Sequence, residues 1–127
     1  MLGECLMKSP DPATVVQRQL DAYNLKHIDA LRATYSEHAE QFILNGERIA
    51  RGHEEIRERM LVRFAEPDLY AQLVGRLVMG QTVVDLEKIT RNFPEGKGSV
   101  EMICIYEVVG SHIAKASFAT GAMVLEG

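Results

Sequence analysis

Two carboxylates lie two residues apart, Asp85 and Glu87, in the segment Val83-Val84-Asp85-Leu86-Glu87-Lys88-Ile89-Thr90-Arg91. On an extended strand, alternation puts both on one face with Ile89 and Arg91. Turned inward, such a pair could do acid/base work, because like charges in a low-dielectric site push one pKa upward. Turned outward, it is a solvated face, ion-paired with Arg91 or with a partner subunit, and contributes little. Met102, Cys104 and Tyr106 share one face of a second, strongly apolar segment, and Gln19 stands beside Val16, Leu20 and Tyr23 on a helical stripe. Together these residues would line a mostly apolar cavity with few polar handles, the usual make-up of a ligand site. Gln19 would then offer a hydrogen bond to a carbonyl or hydroxyl; otherwise a core backbone group satisfies it. Tyr23 fits either the core or the cavity rim.

Other chemistries find no support in the spacing. His53, with Arg57 one turn on, opens a helix and could meet an acidic ligand or simply sit at the surface. His27, His38 and His112 are scattered, with no HxH or HExxH pattern, so neither a metal nor any cofactor is predicted. Cys104 has no base placed beside it and reads as a small buried hydrophobe rather than a nucleophile. Cys5 has no assignable partner, and a disulfide between the two is not expected. Gly75, Gly80, Gly96 and Gly98 belong to strands and turns, not to a phosphate loop.

The elements that must position these groups follow from periodicity and turn chemistry. Asp11-Pro12 supplies an acidic N-cap and a first-turn proline for a helix whose stripe is Ala13, Val16, Leu20 and Tyr23, ending near Asn24. Ile28, Leu31 and Tyr35 predict a short second helix. Ala39 to Leu44 predicts a strand, with Asn45-Gly46 turning into Arg48 to Arg51 as its partner. Gly52 opens a third helix with Ile56, Met60 and Phe64 in line and Leu61 widening the stripe. Its acids, Glu54 and Glu55, stand in the first turn and Arg63 in the last, as the helix dipole favours. Pro67 ends it.

The rest reads as strands over Tyr70 to Met79, Thr82 to Phe93, Val100 to Val109 and His112 to Ala119. Gly80-Gln81 and Gly110-Ser111 place glycine as a two-residue type II′ hairpin requires. The expected fold class is α+β: three helices in the N-terminal half packed on a curved antiparallel sheet. Residues 1–10 are expected to be a flexible tail, 11–121 the domain and 122–127 a second tail. Val100 to Tyr106 is apolar at almost every position, so both faces need cover. The helices supply one; a second copy of the chain, packed sheet on sheet, is the expected other.

Composition bounds the rest. The 127 residues are 46% hydrophobic and 25% charged, with a net charge of −4 and no run of Lys or Arg. That is a globular chain, expected to be soluble and cytoplasmic, and its acidic balance argues against nucleic acid or an anionic membrane surface as partner.

Helix, helix, short hairpin, helix and four-strand meander resembles the NTF2-like superfamily, which includes ketosteroid isomerases and SnoaL-like polyketide cyclases. Val15-Val16-Gln17-Arg18-Gln19-Leu20-Asp21-Ala22-Tyr23-Asn24, with Ile28-Asp29-Ala30-Leu31 and Tyr35, is similar to the first two helices of bacterial steroid Δ-isomerases. So is Ala50-Arg51-Gly52-His53-Glu54-Glu55-Ile56-Arg57-Glu58. The resemblance runs from Pro12 to Ala119 and implies a cone-shaped fold with a ligand pocket. In the isomerases a carboxylate base moves a proton between carbons while a tyrosine and a protonated aspartic acid stabilise the enolate. Those positions fall here on Gln19, near Phe42-Ile43 and near Cys104, so all three residue types differ. The resemblance therefore implies a small apolar organic ligand and cofactor-free proton transfer, isomerase-like or cyclase-like, by other residues. Asp85 or Glu87 would be the base, and Gln19 or Tyr106 the hydrogen-bond donor. The alternative is a non-catalytic ligand-binding or assembly domain, with Met60, Met102 and Tyr106 filling the cone.

Overall fold

The computed structural model describes residues 10–126. Its elements are α1 (Pro12–Asn24), α2 (Ile28–Ala33), β1 (Tyr35–Ile43), β2 (Arg48–Arg51), α3 (Gly52–Phe64), β3 (Tyr70–Met79), β4 (Thr82–Phe93), β5 (Gly96–Val109) and β6 (His112–Leu125). The expected N-terminal tail, Pro10 apart, and Cys5 lie outside the described residues.

Helix α1 starts as its sequence demands: the Asp11 carboxylate accepts from the Ala13 N–H at 3.2 Å, and Pro12 fills the first turn. Helix α2 is shorter than its apolar spacing suggests. It stops at Ala33, and Tyr35, expected on the helix, opens β1 instead. The cause is tertiary: the Ile113 N–H donates to the Thr34 carbonyl at 2.8 Å and Tyr35 pairs with Ile113, so strand pairing captures the chain where local propensity is weak.

The six strands lie in the order β2-β1-β6-β5-β4-β3. All neighbours are antiparallel except β1 and β6, which run parallel, so the expected all-antiparallel sheet is mixed. A parallel neighbour needs a long crossover. Everything between β1 and β6, including α3, serves as that connection, and only α1 and α2 precede the sheet. Both predicted hairpins carry a left-handed glycine, Gly80 at φ +57° and Gly110 at φ +62°. Strand β5 begins at Gly96, four residues earlier than expected, and β6 continues to Leu125 rather than ending at Ala119. Residues 122–125 are therefore ladder rather than tail: Met123, Val124 and Leu125 pair with Val100, Ser99 and Gly98. Gly98 makes this possible, since a Cβ there would collide with the Val124 carbonyl oxygen.

The helices cover one face of the sheet. Val16 of α1 and Ile56 and Met60 of α3 join Val83, Cys104, Tyr106 and Ile113 in the main core cluster, while Leu20, Leu69, Ala71, Ile89 and Val100 form a second. Each fully buried Val, Leu, Ile or Met among them contributes ~1.5–3 kcal/mol on burial. Strand β4 presents Val83, Asp85, Glu87 and Ile89 to this face, all buried. On the opposite face Leu77, Val84 and Ile105 stand in register, with Leu86 and Ile103 beside them; Leu77 is 73% exposed and Ile103 42%. Among the described residues no helix is long and apolar enough to cross a membrane.

Candidate active site

Between the helices and the inner sheet face lies a cavity with an empty volume of about 470 Å³, its open mouth included. Strand β4 supplies Glu87, β5 supplies Met102, Cys104 and Tyr106, α1 supplies Gln19 and Tyr23, and α3 supplies Met60. Seven of the residues singled out in the sequence thus meet around one space. Asp85 does not join them in the lining.

A bulge explains what happens to Asp85. Ala71 and Leu73 of β3 sit opposite Ile89 and Glu87, on the inner face, but the register shifts between Leu73 and Gly75. The extra residue reverses the alternation, so Arg76 rather than Gly75 faces inward, directly opposite Asp85. Its guanidinium grips the fully buried carboxylate with two bonds, Nε to Oδ1 at 2.7 Å and an Nη2 bond to Oδ2 at 2.9 Å. A third guanidinium bond, 2.9 Å, goes to Gln17 Oε1. Bonding to Asp85 raises the Arg76 pKa further, so the guanidinium is fixed in place and stays charged.

Glu87 has no such partner. It is 4% exposed, and its Oε2 is a buried oxygen without a hydrogen bond. Burial first, and the Asp85 carboxylate second, push its carboxyl up from 4.5 to about 7, against the lowering influence of the Cys104 thiol and Arg76. Cys104 beside it is pushed well up, by burial and then by Glu87, which keeps the sulfur a neutral thiol and removes it as a nucleophile. Tyr106 is likewise raised by burial and remains a phenol; its hydroxyl donates to Gln19 Oε1 at 3.3 Å. That bond takes the Gln19 oxygen and leaves its amide nitrogen as the donor it can offer a ligand. Tyr23, held edge-on to Phe64 at 5.7 Å, is raised by burial to about 12.

The helix wall is cationic, which the apolar pattern of α3 conceals. Leu61, expected to widen the buried stripe, is 40% exposed. The inward side instead runs Ile56, Arg59, Met60 and Arg63, with both arginines lining the cavity. Arg59 lies 5.4 Å from the Phe118 ring centroid and donates to Gln41 Oε1 at 2.9 Å; Gln41 in turn donates to the Tyr35 hydroxyl at 3.1 Å. Gln41, buried, thus occupies the end of the cavity toward β1, while its neighbours Phe42 and Ile43 are not among the lining residues.

Sequence reasoning missed Tyr35, Gln41, Arg59, Arg63 and Phe118. Arg59 and Arg63 could have been found, since they stand three and seven residues after Ile56, on the same helical face. Gly75 in mid-strand was the available sign of the bulge that aims Arg76. The remaining candidates have structural partners: Arg91 binds Glu66 through bonds of 2.7 and 2.8 Å, and His53 Nε2 donates to the Tyr35 carbonyl at 2.7 Å. Among the described residues no group of three His, Cys, Asp or Glu side chains is assembled to hold a metal ion.

Comparison with known proteins agrees with this architecture. No curated protein matches the chain. Among solved structures, an uncharacterised cystatin-fold protein from Novosphingobium aromaticivorans superposes with a TM-score of 0.81 at 19% identity, over 87% of this chain and 98% of that one. An NTF2-like protein of unknown function from Burkholderia pseudomallei gives 0.75 at 9% identity, over 87% and 90%. A hypothetical protein with a ketosteroid isomerase-like fold from Catenulispora acidiphila, in complex with trimethylamine, gives 0.73 at 14%, over 88% and 86%. At these identities the likeness is one of fold. The model of the SnoaL-like domain matches residues 16–116, most of the chain, which belongs to that family and shares its NTF2-like fold.

Proposed function

We propose that this SnoaL-like protein binds a small, largely apolar organic molecule in its cone and moves a proton within it without a cofactor, as isomerases and cyclases do, with Glu87 as the base. The observation that carries the reading is the Glu87 carboxyl: buried, with Oε2 unpartnered, in the wall of a cavity. A pKa near 7 matches a group that must both take and return a proton at neutral pH. Asp85 is the weaker candidate, because both its oxygens are held by Arg76. The Gln19 amide N–H, whose oxygen is held by the Tyr106 hydroxyl, supplies a hydrogen bond where an enolate oxygen would develop. Met60, Met102 and Tyr23 shape the apolar part of the pocket.

We also propose that the protein is a homodimer. The apolar outer face around Leu77 and Ile103 is what a second copy would cover, and light scattering that finds only monomer at micromolar concentration contradicts it.

The catalytic reading is tested by solvent deuterium incorporation next to the carbonyl of small cyclic enones, followed by NMR. Glu87→Gln should slow exchange by about 100-fold or more while Asp85→Asn slows it less. Exchange that is equally fast in Glu87→Gln leaves a binding domain without chemistry.

A further inference from the structure

The charges around the cavity do not balance. Arg59 has a neutral acceptor, Gln41, and an aromatic ring beneath it, but among the described residues it makes no ion pair. Arg63, one turn on, approaches only Glu66, at 3.7 Å. That carboxylate is already engaged: Arg91 takes both its oxygens and the Asn92 N–H donates to Oε1 at 2.9 Å. At the opposite side, Asp85 is neutralised by Arg76. Two guanidiniums therefore line the helix side of the cavity without a carboxylate of their own, facing the single acid Glu87 on the sheet. Burial disfavours the charge on both, and each has a further guanidinium beside it, Arg63 for Arg59 and Arg91 for Arg63, acting in the same direction. Arginine stays protonated in such sites, so the strain is relieved by an anion rather than by loss of a proton.

We infer that the ligand is a small organic carboxylate: its carboxylate pairs with Arg59 and Arg63 on α3 while its apolar body lies against Leu20, Met60, Ile89 and Met102. This names the substrate class of the site proposed above and rests on that cavity being the site. It also fixes a direction. A carboxylate held at the helix wall turns the other end of the molecule toward the sheet, where Glu87 and Tyr106 stand, and keeps the ligand's negative charge away from the base. A guanidinium fork suits the geometry, because it offers parallel N–H donors to two carboxylate oxygens.

Calorimetric titration with phenylacetate and phenylacetamide, equal in shape and different in charge, tests the inference without reference to turnover. Wild type should bind the acid roughly tenfold or more tightly than the amide. Arg59→Met should abolish the preference while leaving amide binding, and Arg63→Gln should reduce it. Equal affinities in wild type, a preference that survives in Arg59→Met, or no binding of either compound at millimolar concentration overturns it. The two proposals fail separately. Arginine-dependent acid binding with deuterium exchange intact in Glu87→Gln removes the catalytic reading alone. Exchange that needs Glu87, in a protein indifferent to the ligand's charge, removes the carboxylate alone.

Discussion

Strand β4 holds charged groups in two conditions. Toward one end Asp85 is gripped by Arg76, and toward the other Arg91 grips Glu66, each through a two-bonded guanidinium fork. Between them Glu87 stands open on a cavity, with one oxygen unpartnered. All belong to a single strand and its immediate surroundings, so strand identity and burial do not separate a structural carboxylate from a reactive one. The difference is the supply of arginine: the bulge brings Arg76 to Asp85, and the chain after α3 brings Glu66 to Arg91, whereas Arg59 and Arg63 line the same cavity as Glu87 but make no bond to it among the described residues. A closed pair contributes geometry; an open carboxyl holds a pKa near neutrality, and its ionised form costs stability.

The contrast is broken most severely at the closed end. Asp85→Ala, which strands the Arg76 guanidinium, should lower stability by about 3–5 kcal/mol in urea unfolding. Replacing both partners with apolar residues, Asp85→Leu with Arg76→Met, should recover most of that loss. If Asp85→Ala costs no more than a surface substitution, the pair is not the lock described.

The open carboxyl should behave in the opposite sense. Its folded pKa of about 7 lies above its ordinary 4.5, so below pH 4.5 both folded and unfolded chains carry the proton and no penalty exists. As pH rises from 4.5 to 7 the unfolded chain releases its proton first, and the folded state loses up to about 3 kcal/mol relative to it. Glu87→Gln removes this slope. Relative to wild type it should gain about that much between pH 4 and pH 8 in denaturant titrations, while losing proton transfer.

Glu66→Gln should give the reverse pH profile at smaller amplitude. Burial would raise the Glu66 carboxyl, but the Arg91 fork and the Asn92 N–H outweigh it and hold it below its ordinary value. Its stabilisation is therefore present at neutral pH and lost as pH falls through the folded value. The substitution should cost about 1–2 kcal/mol at pH 7 and little at low pH, where the wild type has lost the pair too. The smallest effect belongs to Tyr106→Phe, which deletes a long hydrogen bond to Gln19 and should cost about 0.5–1 kcal/mol in thermal melts.

Much of this was legible in the residues. The acidic cap and proline of α1, the glycines of both tight hairpins and the alternation of β4 each state a local rule that the fold obeys. The inward face of β5, Met102, Cys104 and Tyr106, was legible for the same reason. What was hidden depends on partners distant in sequence. Tyr35 looks helical until Ile113 pairs with it, β6 looks finished until Gly98 clears its path, and Arg76 looks outward until one bulged residue turns it. Arg59 and Arg63 were hidden differently: an apolar stripe read by hydrophobicity passes over arginines that share its face, although their stems are apolar enough to be half-buried there.

The proposed chemistry turns on the ionisation of one group. Carboxyl carbon NMR of selectively glutamate-labelled protein, assigned by the loss of one resonance in Glu87→Gln, follows that group directly through pH. One glutamate should titrate near pH 7, well apart from the others, and shift toward its ordinary value when Asp85→Asn removes the neighbouring charge. A Glu87 resonance that titrates between pH 4 and 5 with the exposed glutamates would contradict it.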